Sequence, residues 1–561
     1  MKKQHRLAWM IGMGMAAAMW LVLFAFADVY FGANDDQFLL RTFTGGAPAG
    51  ASTFHLYIHA MYAFPLSWLN RLFPGVAWVS ILEIFLLWLS MATMAKSIMQ
   101  VFGRKKRFGM GVFFAACFLL LFEFYLCARP TYTIVAASLS AACVLQILSA
   151  DCETGTDKQI LKSMAYALVL LVLCYGLRQM TSLPALAFAG VAFLHRLFTC
   201  FLGKRSLKPL FATLAAVAVV MGGLAAAREA EITARGQRDY LAWQQARISV
   251  LDYINLESIS QEGREAIGWS DAQVTLLHNW YTMEEAISTE AFRYVRENEY
   301  NENTRTSPGA AILDFRTRSP LVAFSLVVLF GVGVMCVLGL LMKRKGLWTF
   351  LALAAAAGGC LLLLAYLAIQ GRLPYRAVMV PVLPAAALVF GLMPECLPEK
   401  KAFLPVLCVL LAACTALYVI PTAQNVQKRE SPWDYNTHAA MDEIALANPD
   451  LLFIYSNELV NDMRMFTDFS NGIPYNLMFW GGWQRGSPEY RSKVEAFGLD
   501  SDHFTPDDWL RPELRYLTLK EEPHPVLVAH LRETLGENLR WEQQKMDIAL
   551  YAYRFYLEGD S

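Results

Sequence analysis

Two adjacent carboxylates, Asp35 and Asp36, follow the first long apolar run of the chain and are its best candidates for chemistry. They stand in Asn34-Asp35-Asp36-Gln37, ahead of apolar residues at near-helical spacing that end at Gly45-Gly46. A carboxylate pair at a membrane surface can act as a general base or hold a metal ion. Acidic residues also favour the first turn of a helix, which is the more common role of an isolated pair. The elements around the pair therefore decide between catalysis and capping.

Four arginines at the ends of apolar runs are candidates to bind a phosphate group: Arg129, Arg178, Arg372 and Arg376. A guanidinium group holds phosphate through two parallel hydrogen bonds. Each arginine alone is better explained as an interfacial anchor, whose stem lies along lipid while its head reaches water. Because all four occur at the same end of the apolar runs as the carboxylate pair, together they indicate a phosphate site.

Further candidates are less specific. Glu83 and Glu123 fall inside apolar runs, and charges at membrane depth are functional candidates because they are costly. A buried side chain bonded to a neighbouring helix is the favoured interpretation of Glu83, and an equal one for Glu123. His55 and His59 are four residues apart, so on a helix they would share a face suited equally to a metal ion or to an interface. No convincing metal-ligand spacing, phosphate-binding loop or nucleophile elbow is present, so no metal site is predicted, although a divalent metal stays possible.

The composition indicates a membrane protein. The chain has 561 residues, of which 56% are hydrophobic and 17% charged, too apolar a balance for an ordinary soluble protein. The formal net charge is zero, so no bulk field favours nucleic acid. Eleven cysteines lie between Cys117 and Cys414, in or beside apolar runs. This placement predicts small packing residues and argues against a disulfide framework.

The apolar runs predict an α-helical polytopic protein with about eleven transmembrane helices, each near the ~20 residues that a bilayer requires. The first run is interpreted as an uncleaved anchor, although Ala25-Phe26-Ala27 resembles a signal-peptidase site. Residues 53–73 are apolar but interrupted by polar side chains, and predict a helix lying on the outer membrane surface. The predicted spans are 7–27, 76–95, 108–127, 131–150, 161–177, 181–200, 209–227, 320–342, 347–370, 375–393 and 402–420.

Lysine and arginine in the short loops predict the orientation of the chain. Clusters such as 104–107, 204–205, 343–345 and 400–401 recur at every second loop, whereas the short alternate loops hold only Arg129, Arg178, Arg372 and Arg376. Such clusters stay in the cytoplasm. We therefore expect a multi-pass protein of the cell membrane with a cytoplasmic N-terminus and an extracytoplasmic C-terminal domain.

The chain divides into two predicted domains. Residues 1–420 form a transmembrane domain that includes a first outer loop at 28–75 and a helical outer insert at 228–319. Residues 421–561 form a small extracytoplasmic α/β domain, with strands at 451–455, 515–519 and 547–557 and a helix at 525–535. An aromatic run at 479–483 could stack on sugar rings, but a core cluster is the favoured interpretation.

The order of these features resembles the GT-C superfamily of multi-span membrane glycosyltransferases, in particular its bacterial branch of protein mannosyltransferase-like and aminoarabinose transferase-like enzymes. Asp35-Asp36 match the acidic pair of the family's first outer loop. His55-Leu56-Tyr57 and the run to Phe73 resemble its interfacial helix, and Ala128-Arg129-Pro130-Thr131-Tyr132 resembles its Arg-Pro-Tyr span start. Arg376-Ala377-Val378-Met379-Val380-Pro381 resembles its Arg-Tyr-x-x-x-Pro span, except that Tyr375 precedes the arginine. Asp36 stands where glutamate is commoner, and the insert is unusual for the closest relatives.

The resemblance implies an enzyme that moves a sugar from a polyprenyl-phosphate-linked donor to an acceptor on the outer face of the membrane. Asp35, helped by Asp36, would be the catalytic base. The alternatives are a non-enzymatic lipid or polysaccharide transporter or flippase, and a cell-envelope sensor or structural protein. Membrane lipids are expected partners, and nucleic acid is not. The implied substrate-binding residues are Arg129, Tyr132, Arg178, Arg372, Tyr375, Arg376, His55 and Glu123.

Overall fold

The computed structural model describes residues 2–48, 50, 52–301, 306–343, 346–398, 403–427, 432–460, 464–466, 472–547 and 549–559. The chain up to residue 234 forms ten helices, most of them apolar along nearly their whole length. They are α1 Lys2–Phe26, α2 Asn34–Thr44, α3 Ala60–Leu72, α4 Trp78–Arg104, α5 Phe108–Phe122, α6 Phe124–Ala128, α7 Tyr132–Leu148, α8 Asp157–Leu177, α9 Gln179–Leu202 and α10 Lys208–Ala234.

The predicted insert is helical. Its helices are α11 Arg238–Leu251, α12 Gln261–Ile267, α13 Asp271–His278, α14 Thr289–Tyr294 and α15 Pro308–Arg318. Four apolar helices follow: α16 Pro320–Lys343, α17 Leu347–Ile369, α18 Tyr375–Cys396 and α19 Phe403–Val426.

Nine helices among the described residues are long and apolar enough to cross a membrane: α1, α4, α8, α9, α10 and α16 to α19. The shorter apolar helices α5 and α7 occupy the other two predicted spans. The α7 helix is buried along its whole length and packs against α18 at the centre of the bundle, as expected of a helix that is apolar all round. The structure therefore confirms a helical membrane protein, while the count of eleven spans stays a prediction.

The basic loops and the carboxylate loop lie at opposite ends of this bundle. At one end, the side chains of Arg104 and Arg196 both donate to the carbonyl of Leu148. At the other end, which we call the Asp35 end, α2 meets the insert and the C-terminal region. Residues Arg344, Lys345, Lys400 and Lys401, used in the orientation argument, lie outside the described residues. The side of the membrane that each end faces stays a prediction.

The C-terminal region contains a five-stranded sheet in the order β2-β1-β3-β5-β4. Strand β1 runs parallel to β2 and to the central strand β3, and β5 runs antiparallel to β3 and β4. The strands predicted at 451–455 and 515–519 and the helix at 525–535 are present. The elements are α20 Pro432–Ala447, β1 Leu452–Tyr455, β2 Leu477–Phe479, α21 Pro488–Ala496, β3 Leu514–Thr518, α22 Pro525–Leu535, β4 Leu539–Lys545 and β5 Tyr551–Leu557.

Two predicted elements begin in the wrong place. The strand expected at 547–557 begins at Tyr551, because the Met546 N–H bonds the Leu550 carbonyl between β4 and β5. The helix expected at 53–73 begins at Ala60, because the imidazole Nδ1 of His59 caps it by accepting the Met61 N–H at 3.1 Å. His55 consequently lies in a loop, and the two histidines do not share a helix face.

Contacts with the C-terminal region hold α2 in place. Phe38 of α2 and Tyr281 of the insert are part of the same buried core as the sheet. Arg41 makes two hydrogen bonds to Asp442 of α20, at 2.8 and 3.1 Å, and both side chains are largely buried. Buried charges persist only when they are paired in this way. The helix that carries the carboxylate pair is therefore clamped between the bundle and the sheet.

Candidate functional site

Neither carboxylate caps its own helix. The N-cap of α2 is Ala33, which has extended backbone geometry, and Asp35 and Asp36 follow in the first turn. Both side chains instead bond groups on other elements. At the far end, Gly45 stops α2 with a φ of 104°, a left-handed conformation that glycine adopts without strain. Both carboxylates therefore lie in the first turn of α2, as the capping interpretation expected, but neither makes a capping hydrogen bond to that helix.

Asp35 links the membrane bundle to the C-terminal region. Its Oδ2 lies 2.9 Å from Nη1 of Arg376, at the start of α18, and its Oδ1 accepts the indole N–H of Trp483 at 3.1 Å. The side chains of Asp35 and Arg376 remain 18% and 22% exposed. The ion pair is therefore only partly buried.

The charge of Asp35 is stabilised by arginines. Burial on its own would raise the pKa of the Asp35 carboxyl, but Arg376 and Arg178 outweigh it, with help from Trp483 and Arg247, so the pKa lies below its usual value. Asp35 is consequently ionised at neutral pH, which a general base requires.

Arg178 and Arg247 approach Asp35 from different parts of the fold. Arg178, between α8 and α9, donates to the hydroxyl of Tyr132 at 2.6 Å and lies over the rings of Tyr57 and Tyr132. Arg247, from α11 of the insert, is 3% exposed and lies over the ring of Trp280. Its Nε donates to Gln244, and its two Nη groups meet no acceptor among the described residues. Arg376 thus contacts Asp35 directly, and Arg178 and Arg247 act on its charge from a greater distance.

Aromatic rings lie beside Asp35 and its arginines. The ring of Trp483 meets those of His55 and Tyr57 edge to face, with centroids 4.8 and 6.1 Å apart, and Tyr57 stacks on Tyr132. The insert fixes Trp483, because the hydroxyl of Tyr240 donates to its carbonyl at 2.8 Å. Aromatic faces next to polar groups suit a ring-shaped, partly polar ligand.

His55 is buried and neutral. Its Nδ1 accepts the N–H of Tyr57 at 3.1 Å, so the proton is on Nε2, which meets no partner among the described residues. Burial, followed by the charge of Arg228, lowers the pKa of His55 to about 3. Arg228 also donates to the His55 carbonyl at 2.8 Å, which fixes the loop.

Tyr375 and Arg129 hold the loop that precedes α2. The hydroxyl of Tyr375 donates to the carbonyls of Gly32 and Arg129 at 3.2 and 3.1 Å. A Cβ on Gly32 would overlap that hydroxyl and lie 2.6 Å from the Arg129 carbonyl, so only glycine fits there. The guanidinium of Arg129 donates to the backbone carbonyls of Asp28 and Ala128. The structure therefore places Arg129 as a support of the loop that precedes α2.

Two predicted site residues lie elsewhere. Arg372 forms an ion pair with Asp252 at the end of α11, so its guanidinium ties the insert to the bundle. Glu123 lies between α5 and α6 with no exposure, and its Oε2 accepts the hydroxyl of Ser138 at 2.9 Å. The structure brings five other predicted residues together near Asp35. They lie on α2, α7, α18 and two loops, and are Asp36, His55, Tyr132, Arg178 and Arg376.

Sequence reasoning missed Arg247 and Trp483. Arg247 stands in a helical insert where arginine is an ordinary surface residue, and Trp483 belongs to a run interpreted as core. Their positions in the chain gave no signal, because both reach Asp35 only through the packing of the insert and the sheet on α2.

The arrangement suits an anion better than a cation. Within the described residues, no group of three or more histidine, cysteine, aspartate or glutamate side chains could hold a metal ion. The neighbours of Asp35 are guanidinium groups, which repel metal ions and bind phosphate. Comparison with protein-family models and with curated proteins finds no match for this chain.

Proposed function

We propose that the protein is a membrane glycosyltransferase that moves a sugar from a polyprenyl-phosphate-linked donor to an acceptor on the outer face of the membrane. The observation that carries the proposal is the ionised Asp35 among the guanidinium groups of Arg178, Arg247 and Arg376. A carboxylate that can take a proton lies near positive groups that can hold a phosphate. Transfer of a sugar from a lipid phosphate to a hydroxyl group uses both.

The position of the cluster supports a lipid-linked donor. It lies at one end of the apolar bundle, where the phosphate of a membrane lipid resides, and the aromatic rings of Tyr57, Tyr132 and Trp483 line it. A sugar attached to that phosphate would lie among these rings. The polyprenyl chain would extend along the lipid-facing helices.

The reaction follows from the proximity of base and arginines. The donor phosphate bonds Arg376 and so loosens the Arg376–Asp35 ion pair, which makes Asp35 a stronger base. Asp35 takes the proton of an acceptor hydroxyl, and the hydroxyl oxygen forms a bond to the anomeric carbon. The bond from that carbon to the phosphate oxygen breaks, and the lipid phosphate leaves with the electron pair. Arg178 and Arg247 stabilise the negative charge that develops on it.

The transporter alternative depended on Glu83 as a charge deep in the bundle. In the structure the Glu83 carboxyl lies next to that of Asp36, at the Asp35 end of α4 and beside the candidate site. We therefore favour the enzyme.

The test is a transfer assay with the full-length protein in lipid nanodiscs. The protein is incubated with a panel of radiolabelled polyprenyl-phosphate sugars and a cell-envelope extract as the source of acceptor. The proposal predicts labelled product and free polyprenyl phosphate with at least one donor, and neither with Asp35→Asn. Transport of the intact labelled lipid across the bilayer, without cleavage of the sugar, would support the alternative and refute the proposal.

A further inference from the structure

Asp36 and Glu83 form a buried pair of carboxyl groups directly behind Asp35. Asp36 is completely buried and Glu83 is 1% exposed, and their two carboxyl groups lie next to each other between α2 and α4. Asp36 Oδ1 also accepts the backbone N–H of Tyr132 at 2.7 Å, at the N-terminus of α7. Among the described residues, no N–H or hydroxyl group reaches Asp36 Oδ2 or either oxygen of Glu83.

A hydrogen bond between two carboxyl groups requires a proton on one of them, because two carboxylates are both acceptors. Two adjacent negative charges without solvent also repel strongly. Asp36 receives an N–H donor at a helix N-terminus, which stabilises its charged form. Glu83 receives no such donor and lies in a membrane-spanning helix. The proton therefore belongs on Glu83 and the charge on Asp36.

We propose that Glu83 is a protonated positioning residue, which fastens the first turn of α2 to α4. Its neutral form leaves a net positive charge on the group made up of Asp35, Asp36, Arg178, Arg247 and Arg376. The groups that face the pair from α2, α7 and α18 are Asp35, the N–H of Tyr132, Tyr375 and Arg376. Of these, only Arg376 is a cation, and it is already paired with Asp35. The bond from Glu83 thus holds Asp36, and with it the neighbouring Asp35, in place.

The proton also sets the charge available for binding a phosphate. The three guanidinium groups around Asp35 face the two carboxylates of Asp35 and Asp36, which leaves one excess positive charge while Glu83 is neutral. Ionisation of Glu83 would cancel that excess. This part of the inference rests on the proposed function, whereas the proton on Glu83 does not.

Infrared difference spectroscopy tests the proton without any substrate. Wild type minus Glu83→Gln, in nanodiscs at neutral pH, should show the carbonyl stretch of a protonated carboxylic acid that the variant lacks. The band should disappear at alkaline pH. A difference spectrum without this band overturns the inference even if the protein proves to be a glycosyltransferase, and its presence supports the inference even if no transfer is found.

Thermal unfolding tests the positioning role. Glutamine donates the same hydrogen bond to Asp36 that a protonated glutamate donates, whereas alanine cannot. Glu83→Gln should therefore keep the wild-type melting temperature and Glu83→Ala should lower it. Equal melting temperatures for the two variants would show that the bond to Asp36 does not fasten α2.

Binding of polyprenyl phosphate as a function of pH tests the charge. The wild type should lose roughly tenfold in affinity as Glu83 ionises at alkaline pH, whereas Glu83→Gln should lose less than half of that factor. Glu123→Gln, which removes a buried carboxyl bonded to Ser138 elsewhere in the bundle, is the matched control and should follow the wild type. An identical alkaline loss in the wild type and Glu83→Gln would overturn the charge role.

Discussion

Replacing Asp35 with asparagine should change transfer and phosphate binding in opposite directions. Asparagine keeps the size of the side chain and an oxygen that can accept the Trp483 N–H, so α2 should stay in place. It removes the base, and loss of general-base help typically slows a reaction about 10²–10⁴-fold. At about 1.36 kcal/mol per tenfold, the barrier to transfer should rise by about 3–5 kcal/mol.

The same substitution should tighten phosphate binding, because it removes a negative charge from among three guanidinium groups. At a separation of ~8 Å and an effective dielectric constant of ~20, the lost repulsion is about 2 kcal/mol, and salt reduces it to about 1 kcal/mol. That corresponds to a roughly fivefold lower dissociation constant for polyprenyl phosphate.

The assay measures the transfer rate and the polyprenyl phosphate affinity of the same nanodisc preparation. Asp239→Asn, which removes an exposed carboxylate in the first turn of α11, is the matched control and should alter neither quantity. A merely structural role of Asp35 would weaken binding and transfer together. Transfer within about threefold of wild type would refute its role as the base.

Further predictions concern the insert, the clamp on α2 and the loop before α3. Arg247→Ala should weaken polyprenyl phosphate binding by about 1.5–3 kcal/mol, the usual range for a charged hydrogen bond. Arg238→Ala, on the exposed face of the same helix, is the control and should leave binding unchanged. Equal affinities of the two variants would exclude Arg247 from the site. Asp442→Asn should leave the buried Arg41 charge uncompensated and lower the free energy of unfolding by about 3–5 kcal/mol, as measured by chemical unfolding. A decrease below about 1 kcal/mol would show that the Arg41–Asp442 pair does not hold α2 in place. The pKa of His55 is lower in the folded protein than in the unfolded chain. Its contribution to the free energy of unfolding should therefore be complete above its unfolded pKa of about 6.5. That contribution should decline by about 1.4 kcal/mol per pH unit as the pH falls towards about 3. The measurement compares the unfolding midpoints of the wild type and His55→Phe between neutral and acid pH. An equal decrease of both midpoints would contradict this prediction.

The sequence predicted the bundle well because the bilayer sets the length of an apolar helix. Each predicted span contains an apolar helix, and even the broken run at 108–127 is helical on both sides of Glu123. The strand β4 was missed because its sequence, Leu-Arg-Trp-Glu-Gln-Gln-Lys, is polar and largely exposed at the edge of the sheet. Edge strands lack the apolar alternation on which the prediction depends.

The site was predictable only where its residues carry a local signal. Asp35, Arg178 and Arg376 stand at the ends of apolar runs, where a charge is unusual, and the structure brings them together. Arg247 and Trp483 come from segments more than 200 and 440 positions further along the chain than Asp35, and reach it only through tertiary packing. Arg372 carried the same local signal as Arg376, but the insert supplies Asp252 as its partner. A local pattern could not reveal that pairing.

A structure of the protein with bound polyprenyl phosphate tests the central claim most directly. We expect phosphate oxygens within hydrogen-bonding distance of at least two of Arg178, Arg247 and Arg376, with Asp35 facing the space where the sugar was attached. A phosphate bound at the opposite, Lys- and Arg-rich end of the bundle, with the Asp35–Arg376 ion pair undisturbed, would contradict it.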